Sequence, residues 1–143
     1  MRRGLKFVLG VGVTIMALDL AVGAADSAKA RQVERGKYLV EAVGMCGDCH
    51  SPRNQKGEVP PGKELQGSEL GFQPIHPVPG WVPAAPPIAG LTILTTEEAM
   101  TLLTEGLAPG GKPPAPPMPR YHMSRADAAA VIAYLKSLKP AAN

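Results

Sequence analysis

Between Ser51 and Gly90 the chain reads SPRNQKGEVPPGKELQGSELGFQPIHPVPGWVPAAPPIAG. This stretch shows neither a helical nor a two-residue apolar period. Each proline fixes φ and removes a backbone donor, so the stretch cannot be a long helix or a central strand. An irregular segment of that length inside a 143-residue chain either stays loose or is organised around something else. It is not a Ser-rich tether, because Leu65, Leu70, Phe72, Ile75, Val78, Trp81 and Ile88 are spread through it. It therefore reads as an ordered wrapping loop. The chain supplies little to be wrapped: aromatic residues are 4% of it, and past residue 30 they are Phe72, Trp81 and three tyrosines.

Three helical patterns flank the loop. The first runs from about Ala30 to Val43, with Val33, Gly36, Val40 and Val43 along one stripe. Gly36 costs a helix about 1 kcal/mol relative to Ala, so it marks a close crossing by another element. The second starts at Thr95 as N-cap with Glu98 as capping-box partner, continues through Ala99, Leu102 and Leu103, and ends at Gly106, which suits a left-handed cap. The third starts at Ser124 as N-cap with Asp127 in its first turn. It carries Ala128, Val131, Tyr134, Leu135 and Leu138 on its stripe, places Lys136 and Lys139 in the last turn, and stops at Pro140. No strand pattern is evident, and the expected fold is mostly α.

The first residues have the form of an export signal. Arg2, Arg3 and Lys6 precede an apolar run from Phe7, and Val22 and Ala24 stand at small-residue cleavage positions, with Ala28 and Ala30 as a second option. The alternative is an uncleaved membrane anchor, against which Asp19 counts. The expected organisation is a signal peptide over 1–24, a short linker over 25–30, one domain over 31–139 and a tail over 140–143. Losing Arg2, Arg3, Lys6 and Asp19 leaves 12 basic and 11 acidic side chains of the original 15 and 12. That near balance offers no electrostatic case for a nucleic-acid partner, which calls for a concentrated basic face, and none is expected.

Residues 46–50 read CGDCH and hold both cysteines. In an oxidising compartment a Cys46 to Cys49 disulfide is the simplest reading. A thioredoxin-like pair needs a βαβ context that is missing here, and zinc needs four ligands where the chain adds only His50, His76 and His122. Cys-x-x-Cys-His is also the c-type haem attachment motif. Two thiols three residues apart on one turn reach the two vinyl groups of one porphyrin edge, and the next histidine turns its imidazole to the iron. Haem also fills the thin core, since apolar burial is worth about 25 cal/mol per Å². Folding is accordingly expected to depend on it.

Several segments together resemble class I cytochromes c over about residues 31–139. RGKYLVEAVGMCGDCHSPRNQKGE is similar to that family's first helix and attachment segment, ELQGSELGF to the stretch that follows, and PPMPRYHMSRADAAAVIAYLKSL to its axial-ligand loop and last helix. The resemblance implies a cytochrome c fold in which the first and last helices cross near Gly36, Tyr38, Tyr134 and Leu138.

The sixth iron ligand decides the function. Met118 lies in KPPAPPMPRYHM, where prolines stiffen the backbone as a weakly bound thioether requires, and the resemblance points to the same residue. Met123, His76 and His122 are the alternatives. With Cys46, Cys49, His50 and Met118 holding one haem c, and His50 and Met118 on the iron, no position is open for oxygen or peroxide. The expected role is electron transfer rather than catalysis, as a free carrier or as the cytochrome subunit of an oxidoreductase complex. The resemblance further implies a periplasmic location, a dehydrogenase as donor and an oxidase or another cytochrome as acceptor, with membrane contact if the N-terminal segment is retained. Trp81, Arg53 and Arg120 are candidates for haem-propionate contacts, or else plain packing and solvated residues. A backbone carbonyl in the Val59 to Gly62 region is expected to orient the His50 ring.

Overall fold

The computed structural model describes residues 25–140. The expected export signal over 1–24 and the last three residues of the tail lie outside the described residues. The chain divides into two units, Met1–Arg31 and Gln32–Asn143. In the first, residues 25–31 are helical and exposed, in keeping with their Ala and Lys content and the lack of Gly or Pro.

The second unit opens on helix α1, residues 32–38, whose last turn widens into a π-helical turn over Leu39–Val43. Gly44 closes that turn by donating its N–H to Leu39 O at 2.7 Å, and Cys46 N–H donates to Val40 O at 2.9 Å. Leu39 and Val40 are buried, whereas the wide turn carries Val43, expected on the apolar stripe, out to 54% exposure. Helix α2 is the single turn Gly47–His50, α3 is Thr96–Glu105 and α4 is Arg125–Ser137.

Local chemistry explains the ends of α3 and α4. Glu98 N–H donates to Thr95 Oγ1 at 3.2 Å and Thr95 N–H donates to Glu98 Oε2 at 2.8 Å, completing the capping box. Gly106, at φ 66°, ends α3 in the left-handed region. Ser124 Oγ accepts the Asp127 N–H at 3.1 Å to start α4, whose buried face is Ala128, Ala130, Val131, Ile132, Tyr134 and Leu135.

Gly36 is where α1 meets α4. A Cβ placed there would run into the Ala130 carbonyl and stand 2.7 Å from Tyr134 Cβ, so the two backbones touch. Leu138 is partly buried against the core. Tyr38 does not join it. Two residues past Gly36 is about 200° round the helix, so Tyr38 faces outward, is 55% exposed and lies under the Arg35 guanidinium, 5.5 Å from the ring centre.

The long middle segment is ordered. Buried Ser51 accepts the Leu65 N–H at 2.9 Å through Oγ, and Leu65 O accepts both Ile88 and Ala89 N–H groups. It also holds the one pair of strands among the described residues, which no sequence pattern announced. β1 (Ser68–Glu69) pairs antiparallel with β2 (Ala84–Ala85), Ser68 opposite Ala85 and Glu69 opposite Ala84. Two-residue strands are too short to display an alternating period. Val40 is the largest fully buried side chain among the described residues, and Tyr134 is the one aromatic among the core's buried residues.

Candidate functional site

The site begins where the π turn ends. Met45 takes a positive φ of 45°, reversing the chain so that Cys46 starts the α2 turn. His50 N–H donates to Cys46 O at 2.9 Å and Ser51 N–H to Gly47 O at 3.1 Å. A full helical turn therefore places Cys46 and Cys49 on one face. Both thiols are unpaired and half-buried. Burial pushes the Cys46 thiol above its ordinary pKa.

His50 is buried, and its Nδ1–H donates to Pro86 O at 2.7 Å. That bond fixes the tautomer and leaves the lone pair on Nε2. Burial holds the imidazole below its ordinary pKa, against the opposing pull of the Pro86 bond. The orienting carbonyl is thus Pro86 and not one in the Val59 to Gly62 region. The reason is the strand pair: with Ser68 opposite Ala85, and with Gly67 N–H donating to His50 O at 2.7 Å, residue 86 is delivered beside residue 50.

Met118 is half-buried on the Pro-rich segment between α3 and α4, its N–H donating to Ala115 O at 3.1 Å. Prolines 116, 117 and 119 surround it. Pro116 O accepts the Val82 N–H at 3.0 Å, so the same hairpin that orients His50 also reaches the Met118 segment. The alternatives stand elsewhere. Met123 packs on the core with its N–H on Leu103 O, and His76 and His122 are exposed. Among the described residues no group of three or more His, Cys, Asp or Glu side chains is placed to hold a metal ion.

The remaining candidates are engaged locally. Arg53 pairs with Asp48 Oδ1 at 2.7 Å and donates to Gly57 O at 2.8 Å, pinning the turn after the cysteines. Arg120 donates from Nε to Gly106 O at 3.2 Å and from Nη2 to Glu105 O at 3.4 Å, satisfying carbonyls at the end of α3. Trp81 packs edge-to-face on Phe72 with ring centres 5.7 Å apart.

Two contributors were missed in the sequence. Pro86 acts through a carbonyl, which every residue has, so nothing marks it. Tyr121 was legible in principle as an aromatic three residues after Met118 in an aromatic-poor chain. Its hydroxyl donates to Gly44 O at 3.2 Å and lies against Cys46; burial pushes its pKa up to about 12, with Cys46 adding to the rise. The donor set as a whole suits a haem: two free thiols on one face, an imidazole with its Nε2 lone pair fixed, and a thioether on a stiff segment.

Comparison with known proteins agrees in kind. Residues 33–139 match the family model described as cytochrome c. A stretch of 28 residues is 61% identical to a diheme cytochrome c-type protein of Cereibacter sphaeroides, covering 20% of this chain and 10% of that one. The match thus spans about a tenth of that relative's length.

Proposed function

The chain belongs to the cytochrome c family, as a class I c-type cytochrome that binds haem c and carries electrons, and from that premise we propose that it is an exported monohaem carrier. Cys46 and Cys49 would tether the haem through thioether bonds, and His50 and Met118 would hold its iron. The observation that carries this reading is the α2 turn: two unpaired thiols on one face and, directly behind them, an imidazole held by Pro86 O at 2.7 Å. The two cysteines of the sequence support one haem, although the Cereibacter relative is named as diheme.

Bound haem supplies a one-electron couple, raised in potential by a methionine ligand relative to a second histidine. The protein's part is to keep the ligands in place in both states. Pro86 O holds the His50 ring, burial keeps that imidazole neutral and able to coordinate, and the prolines around Met118 limit its retreat. With His50 and Met118 both held by the fold, the protein would rearrange little when an electron arrives or leaves.

Removal of residues 1–24 places the carrier in the periplasm, and retention keeps it on the periplasmic face of a membrane; among the described residues no helix is long and apolar enough to cross one. Its partners are redox proteins, a dehydrogenase as donor and an oxidase or cytochrome as acceptor. The near-neutral mature chain steers them weakly, so partner reduction depends only mildly on salt.

Visible spectroscopy of the holoprotein and of Met118→Leu tests the assignment. The wild type should keep its pigment through acid acetone and show the weak far-red ferric band of methionine ligation. Met118→Leu should lose that band and bind carbon monoxide when reduced. Pigment that washes out, or a far-red band that survives in Met118→Leu, refutes the ligand set.

A further inference from the structure

We infer that Tyr121 is a positioning residue for the Met118 ligand: its hydroxyl straps the Met118 segment to the cysteine turn through Gly44 O. The inference rests on the Met118 ligation proposed above and adds to it the group that keeps the thioether in place.

The segment between α3 and α4 is tied down at four points, and they are not equivalent. Arg120 reaches Glu105 O and Gly106 O, and Met123 N–H reaches Leu103 O, so all three bonds close the segment on the end of α3 that begins it. Val82 N–H on Pro116 O joins it to the hairpin on the side preceding Met118. Tyr121 alone of these crosses to the segment that bears the thiols.

The landing point is shaped for this contact. A Cβ on Gly44 would lie 3.3 Å from Cys46 Sγ and 3.6 Å from the Tyr121 hydroxyl, so the sulphur and the phenol meet over a residue with no side chain. Gly44 is also the residue that closes the π turn on Leu39 O, which makes its carbonyl part of a rigid element and not a loose loop. A weak thioether bond stays made only while the segment carrying it cannot drift. From Met118 to the Tyr121 strap is three residues, short enough for the strap to restrict that drift.

Removing the hydroxyl should therefore loosen Met118 before it loosens the fold. The test compares Tyr121→Phe with Tyr134→Phe, which deletes an equivalent phenol hydroxyl that donates to Glu41 Oε1 at 2.6 Å, away from the Met118 segment. Each ferric holoprotein is titrated with guanidinium while the far-red band and the far-ultraviolet circular dichroism are followed, and its midpoint potential is measured.

In Tyr121→Phe the band should vanish at lower denaturant than the helical signal. The methionine-detached fraction below global unfolding should rise roughly fivefold, the factor expected for one net hydrogen bond, and the potential should fall. In Tyr134→Phe the two signals should shift together, with the potential unchanged. If the wild type shows the band and Tyr121→Phe loses it as Tyr134→Phe does, together with the helical signal, the strap alone is overturned. A wild-type protein without the band overturns the Met118 assignment and the strap with it.

Discussion

Gly36→Ala should destabilise the protein by about 2 kcal/mol, against the ordinary expectation for replacing a helical glycine. Helix propensity alone favours Ala by about 1 kcal/mol. The added methyl, however, would overlap the Ala130 carbonyl and stand 2.7 Å from Tyr134 Cβ, and the first of these is backbone that no rotamer change can move aside. Overpacking of this kind costs roughly 1–3 kcal/mol, and a backbone clash belongs at the upper end. Relief requires α1 and α4 to separate, which loosens the buried core to which Val40, Val131 and Leu135 all belong and forfeits part of its dispersion contact. Taking about 3 kcal/mol for the clash and returning about 1 for propensity leaves the stated net. Guanidinium unfolding of the holoprotein, followed by circular dichroism with the slope m held unchanged, measures it. A variant as stable as the wild type, or more stable, would show that the helices do not touch at Gly36 and would refute the crossing.

Two further outcomes follow from bonds elsewhere in the fold. Ser51→Ala should cost about 1–3 kcal/mol in the same assay, because the Leu65 N–H loses the Oγ it donates to in a buried position; a neutral result would mean that another acceptor takes over. The Arg35 guanidinium, through its hydrogen bond to Asp127 Oδ1 at 3.0 Å, holds the Asp127 carboxyl below the usual carboxylate range. A depressed folded pKa gives stability that is present above the unfolded value of about 3.9 and lost as pH falls through the folded one. Asp127→Asn should therefore flatten the acid limb by lowering stability slightly at neutral pH, with the two proteins converging in acid, and added salt should shrink their neutral-pH difference. An acid limb identical in both would remove the ion pair from the account.

Features set by neighbouring residues were the legible ones. The N-cap of α3 lies in Thr95 and Glu98, its stop in Gly106, and the N-cap of α4 in Ser124 and Asp127, all within one turn of the ends they define. The cysteines and His50 fall on one turn because their spacing leaves a helix no other choice. Gly36 was legible as a contact because a glycine inside an amphipathic stripe has few other uses. What stayed hidden depends on residues far apart in sequence. The widened turn at Leu39–Val43 reflects how α1 must feed the cysteine turn, and it alone decides that Val43 faces outward. The strand pair and the Pro86 carbonyl exist because residues 68 and 85 meet, and neither position carries a side chain that advertises the meeting. Tyr121 was visible as a residue but not as a bond, since its acceptor is a backbone oxygen on Gly44.

The widened turn at Leu39–Val43 also sets a phase. A regular α-helix advances about 100° per residue, so the direction in which Gly36 faces α4 would otherwise dictate the direction in which the thiols leave the helix. The extra residue taken up in the turn uncouples the two headings. The wide turn is consequently an indexed quantity: winding the same residues as a regular α-helix would swing both sulphurs about 100° off their present bearing, with every side chain of the motif still in place.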